Sequence, residues 1–255
     1  MDIVLIQANL AWNTPQVNRE YFEQKIAEAG RADLIILPEM FSTGFCTRPR
    51  GVAEPAGGTT LQWMQKVAGE KTVALCGSVA TEADGCYYNR FYFVFPDGSY
   101  RYYDKRHLFT FGGEHKEYTA GQKRVVVEYK GWRILLQVCY DLRFPVWSRN
   151  RGDYDLIIYV ASWPTPRVDA WSALLRARAI ENLCYVAGVN RVGDDPNCSY
   201  CGESVLLDFL GKPVAEGVRG EEGVFGGALS REALTAFREK FPALQDGDDF
   251  SLKTE

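Results

Sequence analysis

Short runs of consecutive apolar residues alternate with longer amphipathic stretches along the first part of the chain. Residues 2–8 and Asp33–Leu37 have the length and composition of buried strands. A helix is predicted between them, with Pro15 in its first turn and Gly30 at its end. A second helix is predicted over about residues 60–70. This order of elements is typical of a sheet whose strands are joined by helices.

Aromatic residues dominate two further predicted strands, 87–95 and 99–104, and Pro96-Asp97-Gly98 between them is a good turn sequence. A glycine-containing loop leads to two more strands, 124–129 and 132–138. The remaining predicted elements are strands at 73–78, 155–159, 185–189, 204–208 and 223–229, and helices over about 169–182 and 230–241. The pattern predicts the α/β class, with helices covering the outer faces of the sheets. Because no linker interrupts it, we expect residues 1–255 to form a single domain.

Two apolar segments have nearly the same wording. Asp33-Leu-Ile-Ile-Leu37 is matched by Asp155-Leu-Ile-Ile-Tyr159, and each is followed within a few residues by a turn that contains proline. The match is too short to demonstrate a duplication. It suggests two halves with corresponding strands.

The bulk composition restricts the partners of the protein. The chain has 255 residues, of which 46% are hydrophobic and 24% charged, and these values are ordinary for a globular protein. The net charge of −4 argues against nucleic acid or an anionic membrane as the main partner. No apolar run approaches the roughly 20 residues that span a bilayer.

Cysteine usage bears on the cellular compartment and on metal binding. The chain has seven cysteines, and Asp2 stands where a secretion signal needs a basic region. We therefore expect reduced thiols and a cytoplasmic protein. Cys198-Ser-Tyr-Cys201 is a single CxxC pair, and a structural zinc site needs two more ligands in a chain that has only two histidines. We expect no metal, and no phosphate-binding glycine fingerprint is present.

Cys139 stands where the predicted strand 132–138 has to end, because Asp141, Arg143 and Pro145 cannot continue it. A thiol at the end of a buried strand is held rigidly and is accessible to a ligand. The residues after it can direct backbone N–H groups at one point, which suits a nucleophile beside an oxyanion site. A lone cysteine is more often a small buried hydrophobe, so this position needs support from the rest of the chain.

That support comes from Glu39 and Lys105, which also follow predicted strands directly. Ligands collect at the carboxyl ends of strands in layered α/β folds, so we expect these side chains to converge with Cys139. A carboxylate can take the thiol proton and later pass it to a leaving amine. A lysine, together with the backbone N–H of Tyr140, can hold the oxyanion. Taken singly, Glu39 could pair with an arginine and Lys105 could be a solvated loop residue.

Three segments together make the chain similar to the carbon–nitrogen hydrolase (nitrilase) superfamily. They are Leu37-Pro-Glu39-Met-Phe, Tyr103-Asp-Lys105-Arg-His-Leu-Phe109 and Val138-Cys139-Tyr-Asp-Leu-Arg143-Phe-Pro. They occur in the order of that family, and Ala161-Ser-Trp163-Pro and the segment 176–182 also resemble family segments. The resemblance covers nearly the whole chain.

This resemblance implies a four-layer α-β-β-α sandwich and a catalytic set of Glu39, Lys105 and Cys139 that uses no metal and no cofactor. It also implies a homodimer or larger homo-oligomer in which dimerisation extends the sandwich. Glu114 falls where many family members have a second glutamate that positions the lysine and the substrate. On its own, Glu114 would be a surface charge in a glycine-rich loop.

Within the superfamily, Lys105-Arg-His-Leu-Phe, Cys139 to Asn150 and Lys240-Phe-Pro-Ala-Leu-Gln-Asp look most like bacterial omega-amidases. Those are similar to the enzymes that hydrolyse 2-oxoglutaramate to 2-oxoglutarate and ammonia. Such a substrate has a carboxylate far from its amide, so the pocket needs a cation or several N–H donors. Arg143 is the first candidate for this cation and Arg178 the second, although Arg178 on a helix is better explained as an internal ion-pair residue. The candidates for apolar walls are Phe111, Phe45 and Trp163, each of which could instead be ordinary core.

Several other functions remain open from the sequence. The substrate could be an aliphatic amide, an N-carbamoyl compound or deaminated glutathione, and a non-catalytic nitrilase-like binding subunit is a further possibility. Cys139 could use His107 or His115 as its base, in the manner of papain-like enzymes. A thiol redox protein that uses Cys198 and Cys201 belongs to a different class.

Overall fold

The computed structural model describes residues 1–252, which form strands and helices in the predicted alternation. The strands are β1 (Asp2–Gln7), β2 (Leu34–Ile36), β3 (Glu54–Pro55), β4 (Ala74–Ala83), β5 (Cys86–Val94), β6 (Tyr100–Asp104), β7 (Val126–Tyr129), β8 (Trp132–Val138), β9 (Leu156–Ala161), β10 (Tyr185–Asn190), β11 (Val192–Asp194), β12 (Ser199–Cys201), β13 (Val205–Leu207), β14 (Pro213–Glu216) and β15 (Gly223–Ala228). The α-helices are α1 (Pro15–Glu28), α2 (Thr59–Lys71), α3 (Pro145–Ser148), α4 (Val168–Asn182) and α5 (Arg231–Lys240).

The strands form two large sheets and one small hairpin. The first sheet has the order β15-β1-β2-β4-β5-β6, with β3 also paired to β4. The second sheet has the order β14-β13-β10-β9-β8-β7, and β11 pairs with β12 outside both sheets. In each sheet a parallel core of three strands is joined by antiparallel pairs on both sides.

Three apolar cores separate the layers. The central core lies between the sheets and contains Leu5 and Phe93 from the first and Leu136 and Ile158 from the second. A second core joins the outer face of the first sheet to α1 and α2, and a third joins the outer face of the second sheet to α4. The layers therefore follow the order α-β-β-α, which confirms the predicted sandwich.

The two segments of similar sequence, Asp33–Leu37 and Asp155–Tyr159, occupy equivalent positions in the two sheets. The first half runs β1-α1-β2-α2-β4 with parallel strands, and the second runs β8-α3-β9-α4-β10 in the same arrangement. Asp33 precedes β2, and Asp155 precedes β9. The turns that follow these two strands meet, because the backbone N–H of Ser162 donates to Glu39 Oε2 at 2.7 Å.

The structure departs from the predicted elements in two ways. β4 continues to Ala83, beyond the predicted end at residue 78, because it pairs with β5 from Leu75 opposite Val94 to Ala83 opposite Cys86. Five short elements have two to four residues each, which is too few for a periodic pattern to predict them. They are β3, β11, β12, β14 and α3.

The C-terminal tail packs back on the second half of the protein. The Arg151 guanidinium lies 4.1 Å from the centroid of the Phe250 ring. Leu252 joins His107, Val146 and Trp147 in lining a shallow surface depression. Of the helices formed by residues 1–252, none is both long and apolar enough to cross a bilayer.

Candidate active site

The structure brings Glu39, Lys105 and Cys139 together in one cavity. Each side chain follows the end of a strand: Glu39 comes after β2, Lys105 after β6 and Cys139 after β8. Lys105 Nζ lies 3.0 Å from Glu39 Oε1, and both side chains are fully buried. Because β8 belongs to the second sheet and the other two strands to the first, the site forms where the two sheets meet.

Two further groups orient the Glu39 carboxylate. The side-chain amide of Asn89 donates to Oε1 at 2.7 Å, and the backbone N–H of Ser162 donates to Oε2 at 2.7 Å. Both carboxylate oxygens are therefore held in place by fixed donors. A carboxylate held in this way can accept a proton at a defined point.

Glu114 is fully buried beside Lys105, which is not the position of a surface charge. Lys105 Nζ donates to Glu114 Oε2 at 2.9 Å and to Oε1 at 3.2 Å. The backbone N–H of Phe109 also donates to Oε2, at 2.6 Å. Gly113, just before Glu114, has φ = 80°, a left-handed conformation that glycine adopts without strain and that turns the chain inward. Lys105 is thus clamped between two carboxylates.

The charges of the cluster keep the Lys105 ammonium protonated. Burial alone would lower its pKa, but the charges of Glu114 and Glu39 outweigh burial, and the pKa is raised. Burial raises the pKa of Glu114, Lys105 opposes this effect, and Glu39 adds to it. A permanent cation beside Cys139 can stabilise negative charge that develops during a reaction.

The surroundings of Cys139 favour the neutral thiol, because its pKa is raised. Burial raises its pKa well above the ordinary value, Glu39 raises it further, and Lys105 lowers it in part. The thiol therefore needs a base as the substrate arrives, and Glu39 is the carboxylate that interacts with it.

The backbone at Cys139 is strained and is held by Asp141. Cys139 has φ = 45°, a left-handed conformation that costs a non-glycine residue roughly 1–2 kcal/mol. It opens a 3₁₀ helix, Cys139–Arg143, in which the buried Asp141 carboxylate accepts the N–H of Val138 at 3.0 Å and the Tyr103 hydroxyl at 2.8 Å. The same carboxylate accepts the N–H of His107 at 2.9 Å. These bonds fix the turn that presents the thiol.

Neither histidine lies in the cavity. The Nδ1 atom of His107 lies 2.8 Å from Asp141 Oδ1, and its ring stacks on Phe144 with centroids 3.8 Å apart. His115 is exposed on the loop that carries Glu114. A papain-like pair with Cys139 is therefore not formed, and His107 instead belongs to the support of the Cys139 turn.

The cavity has a volume of about 250 Å³ and opens to solvent on one side. Phe45 and Trp163 line it as predicted, and the Lys105 ammonium lies 5.3 Å from the centroid of the Phe45 ring. The exposed Arg143 also lines it, with its guanidinium carbon 5.0 Å from the centroid of the Trp163 ring. A polar amide end can thus reach Cys139 while the other end of a ligand meets Arg143.

The predictions for Phe111 and Arg178 were wrong. Phe111 is 85% exposed and does not line the cavity, because Phe109 fills that wall by packing on Tyr140 at 5.2 Å between ring centroids. Arg178 is buried away from the cavity. It donates to the carbonyl of Leu142 at 2.6 Å and pairs with Glu181 at 2.9 Å, so it has the internal structural role that was the better explanation.

Other residues of the site were not predicted. Asn89 is a fully buried polar residue within the aromatic strand β5, and that contrast is a signal that sequence reasoning could have used. The hairpin of β11 and β12 also contributes to the cavity wall, and so does the turn before α4. The additional lining residues are Thr47, Phe109, Gly112, Ser162, Pro164, Arg167, Asp195, Asn197, Cys198 and Tyr200.

The CxxC pair does not form a disulfide. All seven cysteines are free thiols, with Cys201 buried and Cys198 half-buried in the cavity wall. Of the two residues hypothesised to form a redox centre, Cys198 instead lines the cavity that contains Cys139.

A buried glutamate and lysine beside a cysteine, all at the strand ends of an α-β-β-α sandwich, define a class of hydrolases that cut carbon–nitrogen bonds. The chain belongs to this carbon–nitrogen hydrolase family, whose model matches residues 3–239. The family resemblance and the expected enzyme class, a cysteine-dependent amidohydrolase, are confirmed.

Individual known proteins resemble this chain over nearly its full length. The chain is 48% identical over 253 residues to omega-amidase YafV of Yersinia enterocolitica, covering 99% of this chain and 98% of that protein. It is 33% identical over 252 residues to 2-oxoglutaramate amidase of Bacillus subtilis (strain 168), covering 96% of both chains. The crystal structure of XC1258 from Xanthomonas campestris, a CN-hydrolase superfamily protein with an arsenic adduct in its active site, superimposes with a TM-score of 0.96 at 48% identity and covers 99% of both chains.

Proposed function

We propose that the protein is an omega-amidase. It hydrolyses the terminal amide of a small 2-oxo acid monoamide, such as 2-oxoglutaramate or 2-oxosuccinamate, to the dicarboxylate and ammonia. The observation that carries this proposal is the cluster of the buried Glu39 and Lys105 with Cys139 in a cavity that the exposed Arg143 also lines. The similarity to proteins named omega-amidase and 2-oxoglutaramate amidase supports the choice of substrate.

The first half of the reaction forms a thioester. Glu39 accepts the proton of the Cys139 thiol, and the sulfur attacks the amide carbon. The carbonyl oxygen becomes an oxyanion, which the Lys105 ammonium and the backbone N–H of Tyr140 stabilise. Glu39 then donates its proton to the nitrogen, the C–N bond breaks, and ammonia leaves.

The second half of the reaction releases the acid. Glu39 accepts a proton from water, and the hydroxide attacks the thioester carbonyl, again through an oxyanion held by Lys105. The C–S bond breaks, and the proton that Glu39 took from water passes to the sulfur, which returns Cys139 to the thiol and Glu39 to the carboxylate. Glu114 assists throughout, because its two bonds to Lys105 Nζ keep the ammonium directed at the oxyanion.

Arg143 binds the carboxylate end of the substrate. Its guanidinium lies 5.0 Å from the centroid of the Trp163 ring, a stacking that leaves the N–H edges free for a ligand. Within residues 1–252, Arg143 pairs with no carboxylate of the protein, in contrast to Arg90, which binds Asp104 at 2.7 Å. An anionic substrate supplies the missing partner.

Ammonia release from 2-oxoglutaramate tests the proposal. Cys139→Ala should lower kcat by at least about 1,000-fold, because the nucleophile is lost. Cys86→Ala is the matched control, since this thiol lies at the start of β5 and outside the cavity, and it should retain native activity. Unchanged ammonia release by Cys139→Ala would sink the proposed mechanism.

A substrate panel tests the choice of amide. The panel compares 2-oxoglutaramate, 2-oxosuccinamate, glutamine and simple aliphatic amides by kcat/KM. The two 2-oxo acid amides should be preferred because Arg143 favours a distal carboxylate. If neutral amides are hydrolysed faster, Arg143 has another role and the protein is an amidase of the same family with a different substrate.

We also propose that the protein forms a homodimer and works in the cytoplasm on a small-molecule amide. The free state of all seven cysteines supports a reducing compartment. The outer face of α4 supports dimerisation, since Ile180 is exposed there.

A further inference from the structure

A second arginine of the cavity wall, Arg167, also lacks a carboxylate partner. Within residues 1–252 it forms no ion pair, although it is half-buried. Its backbone is fixed, because its N–H donates to the carbonyl of Pro164 at 3.0 Å and its own carbonyl accepts the indole N–H of Trp163 at 2.7 Å. The side chain therefore starts from a rigid point in the wall.

Two phenylalanines support the Arg167 guanidinium. Its central carbon lies 5.3 Å from the ring centroid of Phe109 and 5.8 Å from that of Phe111. Phe109 packs in turn on Tyr140, the residue that follows the nucleophile. This contact explains the position of Phe111, whose exposed ring packs against the Arg167 guanidinium and does not line the cavity. A guanidinium held against aromatic rings keeps its N–H edges available for an anion.

One acidic side chain of the cavity wall, Asp195, already has hydrogen-bond donors of its own. Asp195 accepts the backbone N–H groups of Asn197 and Cys198 at 2.7 and 2.8 Å and the Tyr200 hydroxyl at 2.6 Å. It therefore closes the turn of its own hairpin and is not a partner for Arg167.

The position of Arg167 in the fold also favours an anionic ligand. It directly precedes α4, a helix of 15 residues, so its positive charge lies beside the positive end of the helix dipole. A cation at that end is disfavoured unless an anion lies close to both. Asp169 places one negative charge in the first turn of α4, but within residues 1–252 it forms no ion pair with Arg167. The unpaired guanidinium and its aromatic support therefore leave Arg167 available to an anionic ligand.

We propose that Arg167 is a specificity-determining residue that, together with Arg143, binds the carboxylate and 2-oxo group of the substrate in the cavity. This end of a 2-oxo acid presents several acceptor oxygens, which two guanidinium groups can satisfy better than one. The inference rests on the proposed omega-amidase function and deepens it: preference for 2-oxo acid amides over neutral amides depends on both arginines.

Arg167→Gln tests the inference with two substrates of equal length, 2-oxoglutaramate and the neutral five-carbon amide pentanamide. KM for 2-oxoglutaramate should rise by about 10–100-fold, the effect expected for losing a hydrogen bond to a charged group. Its kcat should stay within about 3-fold, because Cys139, Glu39 and Lys105 are untouched. The kcat/KM for pentanamide should change by less than about 3-fold.

The matched control is Arg176→Gln, the same change at an exposed position of α4 outside the cavity, which should leave both substrates unaffected. Arg167→Lys should recover part of the lost affinity, since it restores the charge without the planar fork. Equal losses for both substrates in Arg167→Gln would assign the residue a structural role. Unchanged KM for 2-oxoglutaramate would also overturn the inference.

Phe111→Ala provides a second test that does not threaten folding, because the ring is 85% exposed. Loss of the support should raise KM for 2-oxoglutaramate by about 2–5-fold and leave pentanamide unchanged. If the native protein hydrolyses pentanamide but no 2-oxoglutaramate, the proposed function fails. If it prefers 2-oxoglutaramate while Arg167→Gln and Phe111→Ala keep the native KM, only the role of Arg167 fails.

Discussion

The reactivity of Cys139 is determined by two neighbours that act on its thiol in opposite directions. Burial raises the pKa of the thiol, Glu39 raises it further, and Lys105 lowers it. The carboxylate that removes the proton during catalysis therefore also discourages ionisation before the substrate arrives. This arrangement keeps the resting nucleophile neutral and less exposed to oxidation, which attacks the thiolate.

Glu39→Gln should consequently lower the pKa of Cys139 while it abolishes hydrolysis. Removing the negative charge removes an influence that raises the pKa, so at a given pH more of the thiol is ionised. Thiolate absorbance, followed against pH, should show a lower midpoint than in the native protein, while ammonia release falls by at least about 100-fold. Lys105→Gln should move the midpoint upward. A higher midpoint in Glu39→Gln would contradict the assigned electrostatics.

Residues that follow predicted strands were accessible to sequence reasoning, and residues placed by tertiary contacts were not. Glu39, Lys105 and Cys139 come directly after apolar runs, so their convergence follows from how strand ends meet in layered folds. Asn89 lies in the middle of a strand, and Arg167 follows a short turn. Their roles depend on which face of a strand or turn is directed at the cavity, which no periodic pattern specifies.

At the level of elements, the corresponding strands β2 and β9 are each preceded by an aspartate, and the two aspartates lie in different environments. Asp155 is buried and accepts Arg133 Nη2 and Arg238 Nη1, both at 2.8 Å, so it joins β8, β9 and α5. Asp33 is more exposed and pairs with Lys130 on a surface turn. The same local sequence thus contributes differently to the stability of the fold, according to which residues pack over it.

Asp155→Asn should destabilise the protein by about 1–3 kcal/mol. This is less than the loss of a fully buried ion pair costs, because both arginines are partly exposed. Asp33→Asn is the matched control and should cost less than about 1 kcal/mol. Urea denaturation at neutral pH measures both. Equal losses would show that burial does not separate the two positions.

The effect of Asp155 should also depend on pH. Burial tends to raise its pKa, but Arg133 and Arg238 outweigh burial, and the pKa is lowered from 3.8. The carboxylate therefore stabilises the fold above the unfolded pKa, and this contribution is lost as the pH falls through the lower folded value. The difference in free energy of unfolding between native protein and Asp155→Asn should shrink below a pH of about 3.8. A difference that grows on acidification would refute this assignment.

The longer elements followed from the sequence, whereas the hairpin of β11 and β12 did not. β8 has the predicted bounds because seven mostly apolar residues end at a turn that cannot continue the strand. β11 and β12 have three residues each, and they are held by the Asp195 carboxylate and by the buried Arg191. These are long-range and turn contacts, which hydrophobic periodicity does not report.

At the scale of the whole molecule, the active site depends on how the two sheets pack. Glu39 and Lys105 follow strands of the first sheet, and Cys139 and Ser162 follow strands of the second. The hydrogen bond from Ser162 to Glu39 crosses from one sheet to the other. The central core therefore sets the distance between base and nucleophile as well as the stability of the fold.

The two outer helical layers differ in a way that bears on assembly. The exposed positions of α1 are rich in acidic and amide residues, including Glu20, Glu23 and Glu28. On α4 the exposed positions are Asp169, Ala173, Arg176 and Ile180, so an exposed aliphatic side chain stands beside few charges. In the proposed homodimer, we expect the second copy to pack on the α4 layer, where it would bury Ile180 and leave the α1 layer in solvent.

Ile180→Asp should therefore weaken the proposed homodimer. Ile180 is 49% exposed, so aspartate fits the isolated chain, but at an interface it buries an unpaired charge. The dimer dissociation constant from sedimentation equilibrium should rise by at least about 10-fold. Val17→Asp is the matched control, because Val17 is 53% exposed on α1, and it should leave the constant unchanged. A dimer that resists Ile180→Asp but dissociates in Val17→Asp would place the interface on the opposite layer.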